Sequence, residues 1–192
     1  MRIVLIRHGQ PHIHLAPRTS HAGFADYIGN YEAAGLAPDS LPPQELSALG
    51  RELTHIFTSG RPRSDQSATA LAPRAELIVD PLFVEAPLAS PRLPLLRMRV
   101  PKWAVISRIL WHVGFHPGIE NPSQASNRAA KAADILVARA RQQGLSALVA
   151  HGYFNWMIGR QLVKRGFHRT GSHKARYWNT VIYEKKDDRD QT

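Results

Sequence analysis

The sequence predicts an α/β fold, a three-layer sandwich with a largely parallel central sheet flanked by helices. Three observations carry that expectation. Short apolar runs at residues 2–6, 54–58, 76–79 and 145–150 have the length and composition of buried strands. Stretches of helical periodicity separate them, the order expected of successive βαβ units. Three of the runs stop abruptly in polar clusters, as strands do where an open sheet presents its ligand crevice. With 192 residues the chain suffices for one domain with a sizeable core. Residues 1–186 therefore read as a single domain, and the charged residues 187–192 as a disordered tail.

The first strand ends in Arg7-His8-Gly9-Gln10-Pro11, where Gly and Pro punctuate the chain. Residues 11–22 read as a loop containing His12, His14 and His21. A zinc site needs converging ligands, and this loop offers no helical i, i+4 pair to supply them, so no metal is expected. A short helix over 23–34 stops at Gly35 and is followed by a proline-rich linker with Pro38, Pro42 and Pro43. A helix over 43–51 tolerates Pro43 in its first turn. The second strand, 54–58, runs into Ser59-Gly60-Arg61-Pro62-Arg63-Ser64-Asp65, and a helix over 66–71 is expected behind it, capped by Ser64 or Asp65.

A third strand over 76–79 leads to Glu85, and residues 88–101, rich in Pro and Arg, read as irregular. Residues 103–115 carry a helical apolar pattern with two tryptophans and basic flanks. Such a helix either lies on a membrane surface or caps the core, and the cap is the better reading. A long helix over 122–143 buries Ile135, Leu136 and neighbouring alanines and is stopped by Gly144. The fourth strand ends in His151-Gly152, a helix over 154–165 follows, and a last strand covers 177–183.

Composition bounds the function. The apolar share of 43% is that of an ordinary globular protein, and the absence of cysteine excludes disulfides and thiolate metal sites. Nothing at the N-terminus resembles a signal peptide, and no apolar run approaches the ~20 residues of a membrane span, so a cytoplasmic protein is expected. The net charge of +10 is unevenly spread. Residues 86–119 contain no acid but hold Arg92, Arg97, Arg99, Lys102 and Arg108, and residues 135–183 contain eight Lys or Arg and again no acid. Such stretches attract anionic ligands. Nucleic acid has only this charge in its favour, since no recognition motif for it is present.

Arg7-His8, Arg63 and His151 stand at three strand ends that converge in a sheet of this kind. Two guanidiniums and two imidazoles make an anion site, and the Arg fork matches phosphate oxygens. The imidazoles can act as an acid–base pair, or one can attack phosphorus. Arg7-His8-Gly9 after an N-terminal strand, Arg63 within Ser59-Gly-Arg-Pro-Arg-Ser-Asp-Gln-Ser-Ala, and His151-Gly152 after a late strand together resemble the histidine phosphatase superfamily, which includes the phosphoglycerate mutases. The resemblance runs in order from residue 2 to about residue 184.

The resemblance implies a phosphatase that works through a phosphohistidine at His8, without metal or organic cofactor, on a phosphorylated small molecule. It implies that Arg7, Gly9, Arg63 and His151 hold the phosphoryl group. In one branch of the superfamily an Asp after the second histidine is the proton donor, and Gly152-Tyr153 stand there instead. In the other branch a mid-chain Glu serves, and Glu85 matches that place, with Glu120 as its competitor and Arg128 as a structural partner for Glu120. Pro11 and His14 occupy positions where family members often carry Thr and Asn. Residues 88–118 do not match the pattern of a mutase, which favours hydrolysis. Substrate choice is expected in the two cap segments, 11–43 and 88–118. A protein phosphohistidine phosphatase and a non-catalytic anion-binding module that keeps the fold are the alternatives.

Overall fold

A computed structural model describes residues 1–14 and 17–186; the expected tail, 187–192, lies outside the described residues. Six strands form one sheet: β1 (Arg2–Arg7), β2 (His55–Thr58), β3 (Glu76–Val79), β4 (Leu145–Ala150), β5 (His168–Thr170) and β6 (Thr180–Glu184). Their order across the sheet is β3-β2-β4-β1-β6-β5. The first four run parallel, while β6 is antiparallel to β1 and β5 antiparallel to β6. The six helices are α1 (His21–Ala33), α2 (Ser47–Glu52), α3 (Pro62–Leu71), α4 (Val100–His112), α5 (Pro122–Gln143) and α6 (Gly152–Lys164). The three-layer, largely parallel arrangement expected from sequence is the one observed.

Period-2 alternation in β1 divides the core between two faces. Ile3 and Leu5 point into a cluster with α5 and α6, which includes Ala129, Ala133, Leu136, Phe154 and Ile158. Val4 and Ile6 point the other way, toward Ile56, Ala68 and Leu71. All four are buried, as a strand covered on both faces requires. The alanine-rich face of α5 lets that helix lie close on the sheet. Its start is fixed by a capping box between Asn121 and Gln124, and Gly144, at φ 77°, ends it. The cap helices α1 and α4 form a separate small cluster in which the Phe24 and Trp103 rings stack at 5.8 Å.

Several boundaries differ from the sequence expectation. Helix α3 starts at Pro62, four residues early, because a first-turn proline needs no N–H partner. Ser64 and Asp65 therefore sit inside it rather than capping it: Ser64 bonds the Val149 carbonyl, and Asp65 accepts from Gly60 N–H. For the same reason α4 starts earlier than expected, with Pro101 in its first turn. Its two tryptophans are both buried, so they serve the core. Strand β5, whose three residues are polar and exposed, gave no alternating signal and was not anticipated. The expected last strand over 177–183 begins only at Thr180, because Trp178 adopts a left-handed φ of 57° and turns the chain over the ends of β1 and β4.

The capping box yields a stability prediction. Asn121→Ala is expected to lower the unfolding free energy by about 1 kcal/mol, read as a shifted urea midpoint with unchanged slope; an unshifted midpoint would remove the cap from the account of α5.

Candidate active site

Adjacent parallel strands deliver the two histidines. Arg7 pairs with Ala150 in the β1–β4 ladder, and the next residue, His8, donates its N–H to the Ala150 carbonyl at 2.9 Å. His151 follows Ala150 and stands at the N-cap of α6. Their rings are 5.3 Å apart and each side chain is buried. Arg7 ends β1, and Arg63 comes from the first turn of α3, fully enclosed at 0% exposure. The structure thus gathers Arg7, His8, Gly9, Arg63 and His151 in one place.

Hydrogen-bond partners fix the protonation of both rings. His8 Nδ1 lies 2.7 Å from the Gly9 carbonyl, which can only accept, so Nδ1 carries the proton. Its Nε2 keeps a lone pair, to which the Tyr31 hydroxyl donates at 3.2 Å. His151 Nδ1 accepts from Arg63 Nη2 at 3.3 Å, so its Nε2–H donates to Ser59 Oγ at 2.8 Å. Both imidazoles are neutral. Burial, then the Arg63 and Arg7 charges, push His8 down to about 3. Burial, His8 and the arginines hold His151 well below its ordinary value of 6.5.

The guanidiniums are held by stacking, and part of their donor capacity stays open. Arg7 lies over the Tyr177 ring at 4.7 Å and Arg63 over the Tyr31 ring at 4.4 Å. Arg7 Nε and Arg63 Nε are both buried and have no hydrogen-bond partner among the described residues. Buried orphan donors are costly, so their clustering beside two neutral imidazoles marks a place built for an anion. Gly9 is required there. A Cβ at that position would stand 2.5 Å from Leu36 Cδ1, 2.7 Å from Ser40 Oγ and 2.8 Å from Trp178. Its N–H is fixed by Ser67 Oγ at 2.9 Å.

The end of α1 covers this site. Arg63 Nη1 donates to the Tyr31 carbonyl at 2.6 Å, and Arg63 Nη2 is 3.2 Å from the Glu32 carboxylate. The other oxygen of Glu32 is 2.8 Å from Arg61 Nε. A carboxylate therefore already occupies part of the arginine fork. Tyr31, Glu32 and Tyr177 were not picked out from sequence. They lie at the ends of segments more than twenty residues from any motif residue, and no local pattern announces them.

Glu85 and Glu120 part company. Glu85 accepts from Phe154 N–H at 2.8 Å and Tyr153 N–H at 3.2 Å, in the first turn of the helix that His151 caps. Arg108 lies between the Trp111 and Tyr153 rings and holds the Ala86 carbonyl at 2.8 Å, steadying the segment just after Glu85. Glu120 is bound through both oxygens by Arg128, at 2.8 and 2.6 Å, and Arg128 also ties down the Leu82 and Val84 carbonyls. Among the loop histidines, His14 lines a cavity of about 190 Å³ with Thr19, Asp26, Tyr27 and Asn30. The Tyr27 ring is 5.7 Å from that of Tyr31, so the cavity adjoins the covered site. Among the described residues no three potential metal ligands gather.

A family model for the histidine phosphatase superfamily (branch 1) matches residues 3–191. The chain belongs to the histidine phosphatase superfamily. The resemblance read from Arg7-His8-Gly9, Arg63 and His151-Gly152 is thereby established. Among curated protein sequences nothing matches significantly. Among solved structures, this superfamily member is similar to an open-reading-frame product of Mycobacterium tuberculosis, with 18% identity and a TM-score of 0.62 over 97% of this chain and 92% of that one. It is similar to a mycobacterial glucosyl-3-phosphoglycerate phosphatase in complex with vanadate, at 18% identity and TM-score 0.61, covering 94% of this chain and 90% of the other. A phosphoserine phosphatase from Entamoeba histolytica aligns at 15% identity and TM-score 0.55, covering 94% and 89%. At such identities the likeness establishes the shared fold.

Two outcomes are expected. Because His8 and His151 are neutral when folded and protonate near 6.5 when unfolded, the unfolded state binds more protons below that pH. Stability is complete above pH 6.5 and falls as the pH drops toward the folded-state values, by about 1.4 kcal/mol per pH unit for each histidine. Melting temperatures at pH 7.5 and 5 test this, with the drop reduced in His8→Asn. Separately, Glu32→Gln removes the carboxylate from Arg63 and is expected to tighten orthovanadate binding severalfold; equal or weaker binding would count against the competition.

Proposed function

We propose that this superfamily member is a phosphomonoesterase acting on a phosphorylated small molecule through a phosphohistidine at His8. The observation that carries the reading is the neutral His8 ring, with its lone pair on Nε2, set among buried guanidiniums that have unused N–H groups. A neutral imidazole is a competent nucleophile, and a guanidinium cluster stabilises the charge that gathers on the phosphoryl oxygens in the transition state. Arg7, Arg63 and His151 are assigned to hold those oxygens, while Gly9, whose N–H is taken by Ser67, orients His8 through its carbonyl.

In the first step His8 Nε2 bonds to phosphorus while the ester P–O bond breaks, and the leaving oxygen takes a proton from the Glu85 carboxyl group. In the second, Glu85 takes a proton from water, the oxygen of that water bonds to phosphorus, and the N–P bond breaks to release phosphate and neutral His8. Glu85 is bound by backbone N–H groups in the first turn of the helix that His151 caps, which favours it as donor, whereas Glu120 is bound through both oxygens by Arg128. Hydrolysis is favoured over mutase chemistry by two of the three similar structures named above, which are phosphatases. The cavity beside Tyr27 is the place for the rest of the substrate, with Asp26, Asn30 and Thr19 as polar partners and Ile13 and Val100 as apolar walls.

Turnover of an aryl phosphate in the presence of chelator tests this reading. His8→Ala is expected to lower kcat by at least about 10³-fold. Glu85→Gln should cost little on an aryl phosphate, whose leaving group needs no proton, and roughly 10²-fold on an alkyl phosphate. Activity of Glu85→Gln preserved on both esters and on phosphohistidine would point to a protein phosphohistidine phosphatase. A folded protein with no turnover, whose salt-sensitive anion binding survives His8→Ala, would be a binding module instead.

A further inference from the structure

A cavity of about 590 Å³ lies away from the histidines. It lies where the second half of α6 meets β5 and β6, with Trp156, Arg160, Lys164, Phe167, Arg169 and His173 among its walls. Trp156, the first α6 residue lining it, is five residues beyond His151, so the cavity begins about 7.5 Å along the helix from the N-cap at 1.5 Å per residue.

Its floor is built by an absence. A Cβ on Gly159 would stand 2.8 Å from Tyr183 Cζ and 3.0 Å from His173 Nε2, so only glycine admits these two rings against the helix. The Tyr183 hydroxyl lies 2.7 Å from His173 Nε2. Burial pushes His173 down to about 4 and Tyr183 up to about 12, so the hydroxyl donates to a neutral ring whose Nδ1–H is left for another acceptor. The walls are cationic. Arg160 and Lys164 stand one helical turn apart on α6, and Arg169 faces them from β5. None of the three forms an ion pair among the described residues, and no carboxylate lines the cavity. These residues belong to the acid-free stretch 135–183, whose charge the histidine site does not use.

Three cations without an ion-pair partner, of which Arg160 lies over the Trp156 ring at 5.0 Å, stand beside Val163 and Phe167, and together they suit an anion of several charges attached to a flat or apolar body. The volume is in the range that holds a drug-sized ligand. We infer that this cavity is a second binding site, distinct from the histidine site, for a nucleotide. Its phosphates lie among Arg160, Lys164 and Arg169, and its base lies against Trp156 and Val163. The inference does not rest on the phosphatase reading, since it requires no turnover.

Calorimetric titration with ATP at fixed salt, on the full chain carrying His8→Ala so that nothing is hydrolysed, tests it. ATP is expected to bind at least tenfold more tightly than inorganic tripolyphosphate. The Arg160→Glu/Lys164→Glu double variant should lose at least tenfold in ATP affinity, while Arg51→Glu/Arg74→Glu, the same charge change on exposed residues elsewhere, should keep it. The Arg160/Lys164 variant should unfold at the same urea midpoint as the parent, which shows that it folds. Equal binding of ATP and tripolyphosphate, equal losses in the two double variants, or ATP affinity untouched by Arg160→Glu/Lys164→Glu would each overturn the site.

Discussion

The parallel pairing of β1 with β4 is the contact on which the rest of the molecule depends. Its register, Arg2 with Leu145 through Arg7 with Ala150, brings the two strands to an end at the same level, so that His8 and His151 emerge side by side. A slip of one residue would turn His8 toward the opposite face and send Ile3 and Leu5 into the wrong helical layer. The register is therefore held by the whole core, since both faces of β1 are buried against helices. Backbone bonds beyond the ladder complete it: Arg7 N–H is taken by the Asn179 carbonyl, and Asn155 on α6 reaches back to the Ile6 carbonyl.

That geometry has an electrostatic consequence. Arg63 is fully enclosed, and burial first, then the charges gathered around it, lower the affinity of both histidines for protons. Cations and imidazoles crowded together would repel if all were charged, so the least costly arrangement leaves the rings neutral and the guanidiniums charged. The same crowding fixes the tautomers, because each ring has one nitrogen committed to a group that can only accept or only donate. Neutrality and orientation of His8 are thus products of one packing solution and not separate adaptations.

The sheet and its strand-end residues were legible in the sequence because they rest on short-range signals: β-branched runs, the glycine and proline that follow them, and helices long enough to show their period. Arg7, His8 and His151 border strands, and Arg63 and Glu85 follow strand ends by five and six residues, so all could be placed by counting from them. What was missed depends on distance. Strand β5 exists only because β6 offers it an edge, and its own residues, His168, Arg169 and Thr170, carry no alternation. Trp178 takes a strained φ that no propensity favours, because its indole packs beside Gly9 and its Nε1–H bonds Ser40. The start of α3 was misjudged because Ser64 and Asp65 are strong capping residues locally, yet the first-turn proline and the pull of the Val149 carbonyl on Ser64 decide the boundary.

Tyr31 and Glu32 belong to the same class of long-range feature, and they explain how so much positive charge is tolerated. An enclosed guanidinium without a counter-charge would be expensive to bury. Glu32 supplies that counter-charge to both Arg61 and Arg63, and the Tyr31 hydroxyl occupies the lone pair of His8. An anion bound there, as proposed, would exchange with a resident carboxylate and a hydroxyl, so that the desolvation of Arg63 would be met at folding and not again at binding. The elements that must yield are the last turn of α1 and whatever it packs on. That support is the small Phe24–Trp103 cluster, which stands apart from the two clusters that hold the sheet. The fold thus confines the interchangeable contacts to the cap and leaves the histidines on the part of the molecule that the core makes rigid.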